Sequence, residues 1–280
     1  MNAAIDFGLT NTDILIEQED GSRHSTTIPT LPGEPLQQFI HALHVLPGSN
    51  CPPAIAITGG RYRQMPDLYK QIHLVKVQEV NAIGLGGLAL AGLQEALVVS
   101  AGTGTAMVAA RGKTCKHVTG SAVGGGTLLG LARLLLGAVD APEIDRLALT
   151  GDANAVDLTL IEATGGSIGS LPKDANAVNF GRASKGSLGT DHFQREDLAA
   201  GLVRLIGQVI AVIAINAARA EALSPVVFIG HLVDLPSIRA VLMTVAGYYN
   251  ARFVIPESPG IGTVSGALAY SKFMVKEQPE

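Results

Sequence analysis

Two short stretches of this sequence are built alike, and their recurrence narrows the possible folds more than any other feature. Residues 3–17 read Ala-Ala-Ile-Asp-Phe-Gly-Leu-Thr-Asn-Thr-Asp-Ile-Leu-Ile-Glu, and residues 96–110 read Ala-Leu-Val-Val-Ser-Ala-Gly-Thr-Gly-Thr-Ala-Met-Val-Ala-Ala. Each is a run of β-branched and small apolar residues broken by a Gly/Thr turn, the pattern of a β-hairpin. The copies share little identity, yet their offset of roughly 95 residues is that of a duplicated lobe. Each copy also brings backbone amides and a hydroxyl to a strand end, where they suit a phosphate.

Strands and helices alternate through the rest of the chain. Buried strands are expected at 54–58, 73–77, 226–230 and 252–255, and helices at 35–46, 82–93, 142–149, 152–163, 198–223, 237–248 and 260–274. A glycine turn at 120 feeds a further apolar helix ending at 136, and residues 164–190 read as a Gly/Ser/Asn-rich connection. Gly84, Gly86 and Gly87 weaken the helix at 82–93 and point to close backbone packing there. The alternation defines an α/β protein. Its expected division is a first lobe over residues 1–95 and a second over 96–259, with the last helix, 260–275, returning across the lobes.

Composition excludes several classes of function. Only 16% of the 280 residues are charged, against about 25% in an average soluble domain. The net charge is −4 with no long basic run, so nucleic acid is not an expected partner. Cys51 and Cys115 make neither a disulfide framework nor metal-ligand spacing, which suits free thiols in a reducing compartment. Residues 1–6 lack the basic and apolar segments of a secretory signal. The apolar stretches 83–93 and 205–215 fall short of a bilayer span or are broken by Gln208. A cytoplasmic protein without a membrane partner is expected.

Three elements carry chemistry. Asp6-Phe-Gly8-Leu-Thr10 sets a carboxylate, fit to hold a hard cation, beside a Gly turn and a hydroxyl, although a plain turn with an exposed Asp reads the same way. Gly102-Thr103-Gly104-Thr105 repeats that logic at a cost in strand stability. Gly124-Gly125-Gly126-Thr127 opens a helix, and three successive glycines, which bring no packing advantage, allow a nucleotide close approach to the backbone. Neither a P-loop nor a Gly-x-Gly-x-x-Gly helix entry is present. Glu79, taken alone, reads as a solvated strand-end carboxylate.

In order and content these pieces resemble the acetate kinase, sugar kinase, Hsp70 and actin superfamily, and within it the type II pantothenate kinases. The resemblance runs through Ile5-Asp6-x-Gly8-x-Thr10, Glu79 before a small-residue helix, Gly102-Thr-Gly-Thr105, Val118-Thr-Gly-Ser-x-x-Gly-Gly-Gly-Thr-x-Leu-Gly130, Gly151-Asp152-x-x-x-Val156-Asp157, Asn179-Phe-Gly181, Glu196-Asp-Leu-Ala199, Val226-Val-Phe-Ile-Gly230 and Gly266-Ala-Leu268. It implies a two-lobed actin-like ATPase fold, ribonuclease H-like in each lobe, and phosphorylation of pantothenate on its primary hydroxyl at the first step of coenzyme A biosynthesis. The cofactors implied are ATP and Mg²⁺, with Asp6 facing the metal. Gly8, Thr10, Gly102, Thr103, Gly104 and Thr105 would surround the phosphates, and Gly124, Gly125, Gly126, Thr127 and Gly230 would flank the nucleotide. Glu79 occupies the place of the catalytic base. A homodimer is implied as well.

The chain also departs from that family. Leu9 and Asp13 stand where a second glycine and a lysine are usual, so an acid near the triphosphate reverses the local charge. Ala106 replaces a substrate-contacting serine, and His117 replaces an arginine that helps hold pantothenate. These changes keep two other readings open: a kinase for a different small alcohol or an amino sugar, and a nucleotide-binding regulator without turnover. The superfamily's iron–sulfur dehydratase activators need cluster-ligating cysteines, and neither thiol here sits in such a motif.

Overall fold

The computed structural model describes residues 1–46, 52–137, 140–185 and 193–276. The first hairpin forms as its alternation requires, β1 (Asn2–Phe7) pairing antiparallel with β2 (Asn11–Glu17) around a three-residue turn. A third strand, β3 (Arg23–Pro29), adds to β2. Its sequence is polar and almost wholly exposed, so hydropathy gave no sign of it; its β-branched threonines suit an edge strand. Helix α1 (Pro35–Val45) leads to β4 (Ala54–Gly59), which lies parallel to β1, and the short β5 (Leu68–Tyr69) and β6 (Ile72–Lys76) complete a sheet in the order β3-β2-β1-β4-β6-β5.

Helix α2 (Glu79–Ala91) then enters the second unit. There β7 (Glu95–Ala101), β8 (Thr105–Arg111) and β9 (Thr114–Ser121) form an antiparallel triplet. The chain continues through α3 (Gly125–Leu136), α4 (Ala141–Thr150), β10 (Leu158–Thr159), α5 (Leu160–Thr164), β11 (Asn176–Val178), α6 (Gly181–Lys185) and α7 (Arg195–Ala220). Next come β12 (Pro225–Ile229), α8 (Pro236–Tyr249), β13 (Arg252–Val254) and α9 (Gly262–Lys276). The second sheet has the order β13-β12-β7-β8-β9, with β12 parallel to β7 and to β13. Apart from β5, which adds an antiparallel edge strand to the first sheet, it repeats that sheet: an antiparallel triplet whose first member continues into two parallel strands. The hairpin recurrence in the sequence is thus the visible part of a duplicated topology, the two-lobed actin-like arrangement.

Packing explains the glycines of α2. A Cβ at Gly87 would lie 2.3 Å from Val98, at Gly84 2.3 Å from the Cys115 sulfur, and at Gly86 1.9 Å from the Gly262 carbonyl oxygen. The helix is therefore pressed against the second sheet on one side and α9 on the other. Helix α9 reaches β1 and β4 of the first sheet as well, so this helix pair ties the two sheets together. The larger core lies on the other face of the second sheet, where Leu202, Ile206 and Ile210 of α7 meet Leu97, Val99 and Phe228. Burying each such side chain contributes roughly 1.5–3 kcal/mol. By length and apolarity α7 is able to cross a bilayer, but 67% of its most apolar window is buried within the fold, as befits a core helix.

The helix expected at 152–163 is absent. A 3₁₀ turn at Ala153–Ala155 precedes the β10 bridge, and helix resumes only at Leu160. The reason is Asp157, whose fully buried carboxylate accepts the Phe180 amide at 2.7 Å and pairs with Arg204 at 3.3 Å. A buried carboxylate needs these partners, and reaching them takes the chain out of helical register. Of the two thiols, Cys115 is free and partly buried; Cys51 lies outside the described residues, as does the stretch 186–190 of the connection at 164–190.

Candidate active site

The tips of the two hairpins face each other across a cleft of about 640 Å³. They touch through a hydrogen bond of 2.9 Å between the Thr10 and Thr103 hydroxyls. Gly8 allows the first tip to fold tightly, since a Cβ there would sit 2.5 Å from the Asn11 carbonyl oxygen. The wall of the cleft includes Asp6, Gly8, Thr10, Glu79 and all of Gly102 to Ala106, together with Gly125, Gly126 and Gly230. Thr105 is buried and donates its hydroxyl proton to the Val123 carbonyl at 2.8 Å. Gly230 ends β12 at φ +98°, and a side chain there would strike the Ala101 backbone at 2.5 Å.

The glycine run also has a packing role that its sequence does not suggest. The amides of Gly125 and Gly126 donate to the carbonyls of Gly102 and Thr103, at 2.8 and 2.9 Å. A Cβ on Gly124 would come within 2.6 Å of the Thr103 carbonyl oxygen, and one on Gly126 within 2.7 Å of the Thr103 methyl. The three glycines therefore do have a packing purpose: they let the start of α3 lie directly on the second hairpin tip and brace it. Gly124 itself does not line the cleft, nor does Thr127, whose hydroxyl accepts the Gly124 amide and donates to the Ala122 carbonyl as a helix cap. His117 is exposed on β9 and is not brought into the cleft, whereas Ala106 is.

Three carboxylates face this space. Asp6 and Asp13 are cross-strand partners in β1 and β2, so they project from the same side of the sheet. Desolvation, reinforced by the charges of Asp13 and Glu79 and opposed by that of His231, pushes the Asp6 pKa up to about 8. Glu79 opens α2 and stays partly open to solvent, yet the protein around it desolvates its carboxyl enough to raise its pKa. Asp13 is buried; it accepts the Thr27 hydroxyl at 2.6 Å and the His231 Nε2–H at 2.9 Å. The charge reversal expected at position 13 is thus answered by a cation from the opposite lobe.

His231 was legible as the residue closing β12 in Gly-His-Leu, but no local pattern connects it to Asp13, 218 positions away. Ser100, Ser121, Asn11 and Thr263 also line the cleft and escaped notice because each is an isolated polar residue in its own segment. Among the described residues no cluster of three or more His, Cys, Asp or Glu side chains is arranged to hold a metal ion. A hard divalent cation here would be held by Asp6, whose carboxylate lines the cleft, and a carboxylate oxygen is a donor that suits Mg²⁺.

Two duplicated lobes closing hairpin tips and a strand-end carboxylate on one cleft define the class: kinase-like proteins of the actin, Hsp70 and sugar-kinase fold. Solved structures agree on the fold. The activator of the 2-hydroxyisocaproyl-CoA dehydratase from Clostridium difficile, with bound ADPNP, superposes with a TM-score of 0.67 at 15% identity, over 100% of this chain and 98% of that one. A ROK family glucokinase from Streptomyces griseus, in complex with glucose and AMPPNP, gives a TM-score of 0.53 at 15% identity over 96% and 98%. Residues 94–252 match the Fumble family, and the chain belongs to it. A type II pantothenate kinase of Staphylococcus haemolyticus is 28% identical over 273 residues, covering 96% of this chain and 98% of the relative.

Proposed function

We propose that this protein transfers the γ-phosphoryl group of ATP to the primary hydroxyl of a small alcohol, with pantothenate as the first candidate. The observation that carries this reading is the convergence of both hairpin tips, Asp6 and Glu79 on one cleft. A relative that spans nearly the whole chain is a type II pantothenate kinase, which supports the acceptor. Solved structures of the same fold hold ADPNP or AMPPNP, which supports the donor.

The chemistry assigned to the residues is modest, because phosphoryl transfer needs positioning and charge neutralisation more than covalent help. Glu79 takes the acceptor's hydroxyl proton; its raised pKa makes it a better base than an ordinary glutamate. The Gly/Thr tips orient the phosphates through amides and hydroxyls. Mg²⁺, when bound with ATP, would neutralise phosphate charge. Asp6 would hold that cation, and to do so it would give up the proton it retains below about pH 8.

That last point has a measurable sign. Asp6 has a higher pKa folded than unfolded, so the empty protein binds more protons than the unfolded chain between about 3.8 and 8. This group's contribution to stability is therefore present at low pH and lost as pH rises toward 8. Mg·ATP binding reverses the preference, and its affinity should climb from pH 6 to 8, with proton release, and then level off. Calorimetry in two buffers of different ionisation enthalpy reads the released proton. Asp6→Asn should lose both the metal-dependent part of the affinity and the proton; retention of either would remove Asp6 from the metal site.

The acceptor is tested by ATP turnover over a panel of alcohols that includes pantothenate and amino sugars. A second acceptor class is favoured by Ala106 in the cleft wall and by the position of His117 outside it. Turnover with an amino sugar and none with pantothenate would establish that alternative, and ATP binding without turnover on any acceptor would establish a regulator.

A further inference from the structure

Among the described residues the cleft presents three carboxylates, Asp6, Asp13 and Glu79, and no lysine or arginine. Among the described residues that line it, His231 is the only side chain able to carry positive charge. A polyphosphate entering such a site finds little positive charge to meet it, and a single metal ion offsets only part of its own.

His231 is held in a built arrangement. It follows Gly230 at the end of β12 in the second lobe, and its Nε2–H reaches across the cleft to both oxygens of Asp13 on β2 in the first lobe, at 2.9 and 3.0 Å. Its Nδ1–H meets Asp234 at 2.8 Å. Asp13 is fixed from behind by the Thr27 hydroxyl on β3. Gly260 leaves the room the pair needs: a Cβ there would fall 2.6 Å from both the Asp234 oxygen and His231 Nδ1. Asp6 from β1 is close enough to feel the ring's charge. With a carboxylate on each nitrogen, the ring is protonated throughout the neutral range, its pKa raised to about 10.

We propose that His231 is the cation the protein itself supplies to the cleft, a positioning residue that brings from the second lobe the positive charge for which the resemblance expects a lysine at position 13. The inference rests on the nucleotide-binding reading of the cleft. Asp13 then has a purpose that its charge alone would deny it, because it anchors the imidazolium at the junction of the lobes. Its own negative charge is compensated by the same contact. The contribution is electrostatic and acts on nucleotide affinity before it acts on the chemical step.

The test is Mg·ATP binding at pH 7 by wild type, His231→Asn, His231→Lys and the neutral pair Asp13→Asn/His231→Asn, each checked for folding by thermal melt. His231→Asn should weaken binding about tenfold or more, the scale of removing one positive charge a few ångströms from a polyphosphate. His231→Lys, which keeps the charge, should recover to within about threefold of wild type, and the neutral pair should remain weak. The difference between wild type and His231→Asn should shrink as salt rises. Wild-type affinity in the neutral pair would overturn the proposal, since His231 would then serve only to silence Asp13. Unchanged affinity in His231→Asn, or a Lys variant no better than the Asn variant, would overturn it too. Failure of the wild type itself to bind Mg·ATP is a separate outcome that overturns the nucleotide reading and this inference together.

Discussion

Replacing Glu79 by glutamine is expected to lower turnover by a factor of roughly 10² to 10⁴ while ATP affinity stays within about twofold, because a positioned base acts on the reacting proton and not on the nucleotide. The amide keeps the size and the helix-start position of the glutamate but cannot accept the hydroxyl proton. Glu79 lines the cleft as the first residue of α2, and partial desolvation has already raised its pKa. The pH–rate profile of the wild type should fall on its acid side above the range of an ordinary glutamate, and that limb should vanish in the variant. Turnover of Glu79→Gln at the wild-type rate would assign the base elsewhere. Joint loss of ATP affinity and thermal stability would make Glu79 a structural residue of the α2 start.

The second large effect concerns stability. Gly266→Ala should cost about 3 kcal/mol, the upper end of what overpacking usually exacts, and should slow turnover as well. The added Cβ would lie 1.8 Å from the Ala82 carbonyl oxygen and 2.6 Å from the Gly86 amide nitrogen. Both are backbone atoms of α2, so no side chain can turn away and the helices must separate. Helix α2 begins with Glu79, so a shifted α2 moves the proposed base. Gly247→Ala in the exposed part of α8 provides the contrast: a Cβ there meets nothing within 4 Å, and the change should be neutral or stabilising by up to about 1 kcal/mol. Denaturant unfolding of the two variants reads both signs, and equal stability in the two would show that α2 and α9 separate at little cost.

Much of this protein follows from local sequence. Alternating apolar residues around a Gly/Thr turn can form little but a hairpin, and their recurrence predicts the duplicated lobes that the strand orders β3-β2-β1-β4-β6 and β9-β8-β7-β12-β13 display. Asp6, Thr10 and Gly102 to Thr105 are recognisable because chemistry and turn geometry favour the same residue types over a few consecutive positions. The glycines of α2 likewise announce close packing, since nothing else compensates their weak helix propensity.

What escaped local sequence depends on partners far along the chain. The polar strand β3 exists because β2 offers it a ladder, and residues 152–159 leave helical geometry because Asp157 must meet Phe180 and Arg204. Gly124 to Gly126 read as a nucleotide loop, yet their close approach is to the hairpin tip at 102–104. Position 13 read as a misplaced charge until His231, 218 residues away, met it across the cleft. Local sequence determines which backbone geometry a segment prefers and which functional groups it carries. The sign of the field in the cleft is decided only when the lobes come together, because electrostatic energy depends on distance in space and not along the chain.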